Sequence, residues 1–362
     1  MYRNLSAGLE SIAKYGEIQE ESTRKRFGAE YNDVMETLIC DEYSIIVTTP
    51  LLAGRLLDIG FKPRVLLCEE ISYWRDPDLF GVLSRQHTFE RVQFYGDHLQ
   101  LGPPTFTKPG QLAWQISLME RLLQRNVPSM LLNIQYRTSA RIYGTTSRTF
   151  YDGEVTSSPP IDSNQIHESL RQHSLTVVHG NFQYTVNSSL CFLNVRRSVC
   201  TQTPSKSWAS REEASLAINL AKTLLQRLVV GQPAHRLPSR SITILCGYRG
   251  QVEMVNSLLV FPENEIVRHC LVQTVDEVQG SENDIIILTF GRCTTRLSTY
   301  LHAPRRVNVF TSRSKRAFFI IGDHAWARQN MGDHNKLQVV VGDYEHSIPD
   351  IQFVVQRQPR TS

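Results

Sequence analysis

The sequence predicts an α/β fold with parallel sheets, arranged in two domains. Short, nearly unbroken apolar runs recur along the chain, as in strands buried on both faces of a parallel sheet. Amphipathic stretches of helical period separate them. The chain has 362 residues, room for two domains of roughly 150 residues each with a tail or insertion to spare.

Phe27, Tyr31, Val34 and Leu38 mark one stripe of an amphipathic helix with charged residues on its other face, and this helix is expected to pack on a larger core. Ser44–Thr49 is a β-branched run stopped by Pro50, and reads as a strand. Leu51–Leu57 reads as helix, and Val65–Cys68 and Val92–Tyr95 as further strands. Ile116–Leu123 is an apolar helix. Ser157-Ser158-Pro159-Pro160 punctuates the chain between Phe150 and Asn164 and places a domain boundary there. Beyond it, strands are expected at Leu190–Val195, Ser241–Cys246, Val272–Thr274, Ile285–Phe290 and Phe318–Gly322. Helices are expected at Arg211–Leu228, Gly250–Leu259 and Pro304–Ser314. Ser210 and Glu213 have the spacing of a capping box. The resulting division is 1–42 as an N-terminal helical segment, 43–155 and 156–345 as two α/β domains, and 346–362 as a polar tail.

Composition excludes several classes. With 41% hydrophobic and 20% charged residues, the chain is neither disordered nor of low complexity. A net charge of +4 (39 Lys+Arg against 35 Asp+Glu) is no mark of nucleic-acid binding, so any basic surface must come from patterning. Seven cysteines without a C-x-x-C pair suit a reduced compartment, cytoplasm or nucleus, better than a zinc site or a disulfide framework. The first residues lack a signal-peptide apolar run, and no window approaches 18 apolar residues, so no membrane partner is expected.

Four segments carry chemistry, most of them where an apolar strand stops in polar residues. Ligands of open α/β sheets bind outside the carboxyl ends of strands. Glu69 and Glu70 follow Val65–Cys68. One carboxylate can hold Mg2+ and the other can polarise a water, although solvated acids at strand ends are common. Tyr95–Pro104 presents Asp97 and Gln100 on a loop stiffened by Gly96, Pro103 and Pro104. Leu131–Arg137 offers Tyr136 for stacking and Arg137 for a phosphate, or alternatively an ordinary helix–loop junction. Thr274–Asp284 lies between two strands, and is followed by Arg305–Arg316, with five basic residues interleaved with Val307, Val309 and Phe310.

Taken in order, EEIS, GDHLQLGPP, NIQYR, ITILCGYRGQ, TVDEVQGSEND and RRVNVFTSRSKR resemble motifs II, III, IV, Va, V and VI of superfamily 1 helicases. The resemblance is strongest to the group of the nonsense-mediated-decay helicase and its zinc-finger-bearing relatives, and it spans Tyr43 to Asp323. It implies two RecA-like domains, the first incomplete, with ATP between them and single-stranded RNA or DNA across the top. It implies ATP hydrolysis coupled to translocation, with ATP and Mg2+ as cofactors. By resemblance, Glu69 takes Mg2+, Glu70 activates water, Gln100 senses the γ-phosphate, Tyr136 stacks on adenine, Arg137 contacts the γ-phosphate and Arg313 is the arginine finger. Lys315 and Arg316 are lesser finger candidates. Glu282 holds the ribose, and Asp97, Gln279, Gly280 and Arg316 complete the nucleotide site. Thr48, Thr49, Pro103 and Thr274 fall where the family touches nucleic acid.

The sequence departs from that pattern in one large respect: no G-x-x-x-x-G-K-[ST] loop occurs in it. In this family the loop's amides and lysine cradle the phosphates, so weak ATP binding and slow hydrolysis are expected. Only residues 1–43 precede the run at Ser44, which reads as a start after motifs I and Ia, with an uncovered apolar edge open to protein partners. Ile71 where the family has Ala, an extra glycine in GDHLQLGPP and FTSR for A-L-T-R are smaller departures. The alternative function is a degenerate, catalytically inactive module that binds nucleic acid or protein.

Overall fold

The computed structural model describes residues 3–15, 17–18, 20–38, 43–85, 89–105, 107–114, 116–158, 165–195, 198–228, 236–292, 300–328, 335–346 and 353–355. It forms two compact units: residues 1–98 with 102–128, and residues 99–101 with 129–362.

Unit 1 holds α1 (Arg3–Tyr15), α2 (Glu21–Thr37), α3 (Pro50–Asp58), β1 (Val65–Cys68), α4 (Asp76–Leu83), β2 (Arg91–Phe94), α5 (Lys108–Trp114) and α6 (Leu118–Gln124). Strands β1 and β2 pair in parallel, Leu66 opposite Val92 and Cys68 opposite Phe94. Side chains alternate across a strand. Leu66, Cys68 and Phe94 pack with Ile71, Leu79 and Met119 into a small core. Val65 and Leu67 point the other way and stay exposed. Two sequence expectations fail here. Helix α2 packs along α1 rather than on a large core and buries no residue; Phe27 and Tyr31 of its stripe stack on each other. Ser44–Thr49 forms no strand, with Ile45 82% and Val47 96% exposed. β-branched residues favour a pleated surface only where a neighbouring strand offers one, and the described residues offer none to this run.

Unit 2 holds β3 (Ile134–Gln135), α7 (Ala140–Tyr151), β4 (Thr156–Ser157), α8 (Gln165–Gln172), β5 (Leu175–His179), β6 (Phe182–Val186), β7 (Leu190–Asn194), β8 (Thr201–Gln202), β9 (Trp208–Ala209) and α9 (Arg211–Arg227). It continues with β10 (Ile242–Cys246), α10 (Arg249–Leu259), β11 (Leu271–Thr274), β12 (Asn283–Thr289), α11 (Pro304–Thr311), β13 (Ser314–Gly322), α12 (His324–Ala327), α13 (Lys336–His346) and β14 (Phe353–Val355). The main sheet runs β11-β10-β12-β13-β7-β14, and every neighbouring pair is parallel. β10 is buried at all five positions and β12 from Ile285 to Thr289, as continuous apolar runs require. One face packs on α9 and α10 through Ile244, Ile287, Phe319, Leu220, Leu224 and Val255.

The five predicted strands all form, with ends displaced by up to four residues. Helix α11 stops at Thr311 rather than Ser314, because Ser314 already pairs with Asn283 in the sheet. The hairpin β5–β6 went unread, although its buried apolar positions alternate with exposed ones, as in a half-buried strand. Residues 129–155, assigned from sequence to the first domain, lie in unit 2: β3 pairs with β4, and α7 packs on α11, α13 and β13. Within the stretch read as a polar tail, Phe353–Val355 adds a strand beside β7.

The capping box at α9 forms only by half. Ser210 Oγ accepts from Glu213 N at 3.4 Å, but the Glu213 carboxylate turns inward and accepts from Gly291 N at 2.7 Å. Glu213 is fully buried, and burial pushes its carboxyl up from 4.5 to about 8 against the pull of its hydrogen bonds. The native state therefore keeps a proton that the unfolded chain loses. Stability should fall as pH rises from about 4.5 to about 8, then level off. Denaturant titrations across that range should show this decline, and Glu213→Gln should flatten it.

Candidate functional site

In unit 1 the acids sit where they were expected, past the carboxyl end of β1. Glu69 is exposed, while Glu70 is half-buried and adopts a left-handed backbone, φ 53° and ψ 38°. That conformation is uncommon for a residue with a Cβ. Two hydrogen bonds hold the peptide that follows it: Tyr73 N donates to Glu70 O at 2.9 Å, and Ile71 N donates to Tyr95 O at 2.9 Å. Gly96 lets the two loops approach so closely, since a Cβ there would lie 3.1 Å from Ile71 N and 3.2 Å from Ser72 N. Asp97 follows on the same loop, and Pro103 lies after it, half-buried. Thr48 and Thr49 are exposed ahead of α3.

Unit 2 gathers the remaining nucleotide-site candidates from four separate segments. Gln135 builds the first: its Oε1 accepts from Arg137 N at 2.9 Å and Thr138 N at 2.8 Å, while its Nε2 donates to Thr138 O and Ser157 Oγ. Thr138 Oγ1 donates to Ser314 O at 2.7 Å and ties this turn to β13. Tyr136 is thereby left 73% exposed. Arg137 Nε pairs with Glu282 Oε2, and Arg137 Nη1 donates to Ser312 O at 3.1 Å. Lys315 Nζ lies 2.6 Å from the other carboxylate oxygen of Glu282. Lys315 and then Arg137 hold the Glu282 carboxyl below its ordinary value. Gly280, at φ +77°, makes the turn that delivers Glu282, with Gln279 half-buried before it. Arg316 stands 4.0 Å from Asp284.

Arg313 is only 2% exposed. Its Nη2 donates to Gln100 Oε1 at 2.7 Å, its Nε to Val309 O at 2.9 Å and its Nη1 to Ser281 O at 3.4 Å. Leu99, beside Gln100, accepts from Asn308 Nδ2 at 3.1 Å. Gln100, Arg137, Glu282, Arg313 and Lys315 thus form one continuous polar cluster. Its position differs from the general expectation for open sheets: these residues lie at the amino ends of β12 and β13. Thr274 ends β11 at the opposite, carboxyl rim; it is 9% exposed and its Oγ1 accepts from Glu277 N at 3.3 Å.

That carboxyl rim carries groups the sequence reading passed over. Tyr248 and Tyr300 stack at 5.4 Å between ring centres, Arg306 covers Tyr300 at 3.6 Å, and Arg292 covers Trp208 at 4.9 Å. Arg306 also grips Asp276 with two bonds, at 2.8 and 3.0 Å. Only the Tyr-Arg pairing within ITILCGYRGQ hinted at them. Gln135 and Thr138 were missed as well, since their work is to shape a turn. Among the described residues, no group of three or more His, Cys, Asp or Glu side chains is placed to hold a metal.

A family model described as an AAA domain matches residues 114–325, more than half of the chain. The chain belongs to this family. Its relatives place it in the superfamily 1 helicase-like group. An uncharacterized ATP-dependent helicase of Methanocaldococcus jannaschii is 26% identical over 293 residues, covering 81% of this chain and 41% of the relative. Regulator of nonsense transcripts 1 of Caenorhabditis elegans is 26% identical, covering 72% of this chain and 23% of that protein. The human DNA replication ATP-dependent helicase/nuclease DNA2 is 24% identical, covering 76% and 26%. This helicase-like chain therefore spans less than half the length of these relatives. The solved structure of the PRRSV helicase aligns over 75% of the chain and 37% of its own, at 15% identity and a TM-score of 0.36.

Removing the Gln100 side chain takes an acceptor from a buried guanidinium, and a buried donor deprived of a partner costs about 1–3 kcal/mol. Gln100→Ala should lower the stability of unit 2 by that amount in denaturant titration. Substitution of the exposed Thr48 should leave stability unchanged.

Proposed function

We propose that this chain acts in an ATP-dependent superfamily 1 helicase that couples ATP hydrolysis to movement along single-stranded RNA or DNA. The observation that carries this reading is the convergence of Gln100, Arg137, Glu282, Arg313 and Lys315 in one unit, from segments far apart in sequence. Such a set of cations suits a phosphate chain, and the exposed Tyr136 ring suits a base. Glu69 and Glu70 are hard oxygen donors of the kind Mg2+ takes, with Glu70 the group to accept a proton from water. Bound ATP supplies the anhydride to be cleaved.

The residues of this chain orient and sense. Arg137 and Lys315 neutralise charge on the phosphates, and Tyr136 covers the base. Arg313 is the finger, reached as Gln100 yields its hydrogen bond, so that Gln100 reports the state of the phosphate. Gln279, Gly280 and Arg316 in unit 2, and Asp97 in unit 1, are proposed as further nucleotide contacts of their own units. Thr48, Thr49 and Pro103 in unit 1 are proposed to touch nucleic acid, as is the rim at Thr274 in unit 2, where paired rings and arginines suit single strands. The choice between RNA and DNA rests on contacts to the 2′-hydroxyl. No described helix is long and apolar enough to cross a membrane, and cytoplasm or nucleus is the proposed location.

The test is titration of a fluorescent ATP analogue with Mg2+, with and without a single-stranded oligonucleotide. The oligonucleotide should tighten nucleotide binding, and Arg137→Ala should weaken it at least tenfold, about 1.4 kcal/mol. Nucleotide binding indifferent to both changes would overturn the reading.

A further inference from the structure

Glu282 does more in this structure than wait for a sugar. Both of its carboxylate oxygens are engaged, Oε2 by Arg137 Nε and Oε1 by Lys315 Nζ at 2.6 Å. The backbone next to Glu282 is held by the sheet. Asn283 N donates to Arg313 O at 3.2 Å, and Asn283 pairs with Ser314 at the start of β12 and β13. Arg137 is held independently, through Nη1 on Ser312 O at 3.1 Å. The three side chains are still open to solvent, with 32%, 38% and 40% of Arg137, Glu282 and Lys315 exposed, so an incoming anion can reach them.

We propose that Glu282 is an internal counter-anion: its carboxylate occupies Arg137 and Lys315 while no phosphate is bound, and a phosphate chain takes both cations over by displacing it. This rests on the function proposed above and gives Glu282 a positioning role beyond the ribose contact that the resemblance implies. The exchange is favourable because a terminal phosphate carries more negative charge than a carboxylate and offers more acceptor oxygens to a guanidinium and an ammonium. It is also selective. A monovalent anion gains nothing over the resident carboxylate, so the pair discriminates for polyvalent phosphate. Displacement then leaves Glu282 able to accept from ligand hydroxyls.

The experiment titrates inorganic tripolyphosphate, which has no ribose, into the full chain and into Glu282→Gln at low salt by calorimetry. Partly exposed ion pairs are weak but favourable, so freeing both cations should tighten binding roughly tenfold, about 1.4 kcal/mol. Lys315→Met in the Glu282→Gln background should remove that gain. A misfolded variant cannot produce a gain, so tighter binding is not mimicked by damage. Equal affinity in the wild type and Glu282→Gln would overturn the counter-anion role while leaving the nucleotide reading intact. Absence of tripolyphosphate binding in both would overturn the two together.

Discussion

The buried guanidinium of Arg313 is the constraint on which the polar cluster at the amino ends of β12 and β13 depends. It donates to Gln100, Val309 and Ser281, so one side chain joins the loop at Leu99–Leu101, the end of α11 and the turn before β12. Its own backbone carbonyl accepts from Asn283 N, which starts β12 beside β13. A buried charge is costly unless every donor is used. The surrounding loops are therefore fixed by what the guanidinium needs, and Glu282 and Lys315 inherit their places from it.

Two glutamates in the same unit show how environment divides one chemistry into two behaviours. Glu282 sits between Lys315 and Arg137 and is held as an anion. Glu213 lies in the core under Gly291, where burial favours the neutral acid. The first suits rapid exchange with incoming anions, and the second suits a fixed structural hydrogen bond. The strands of the main sheet run between the cluster at the amino ends of β12 and β13 and the ring-and-arginine rim at the carboxyl ends of β10 and β11. Between the two ends, β10 is buried throughout and β12 from Ile285 to Thr289.

Much of this was legible in the sequence because continuous apolar runs leave few alternatives. β10, β12 and β13 are buried on both faces and were placed within a few residues. The ordered motifs singled out residues far apart in sequence, and two of these, Gln100 and Arg313, are hydrogen-bonded to each other. Other features were not legible, for separable reasons. Ser44–Thr49 has strand composition without a neighbour to pair with. Ser210 and Glu213 have capping-box spacing, but the helix packs so deeply that the carboxylate finds a backbone amide instead. Spacing also gave no sign that Arg313 would be buried while Arg137 and Lys315 stay open, because burial is decided by contacts between segments more than a hundred positions apart.

The most direct measurement is solvent exchange of arginine side-chain protons in the 15N-labelled chain, with Arg313 assigned by its loss in Arg313→Lys. The account predicts a slowly exchanging Arg313 Nε–H, protected relative to Arg249, whose side chain is 62% exposed. An Arg313 Nε–H that exchanges as fast as that of Arg249 would contradict it.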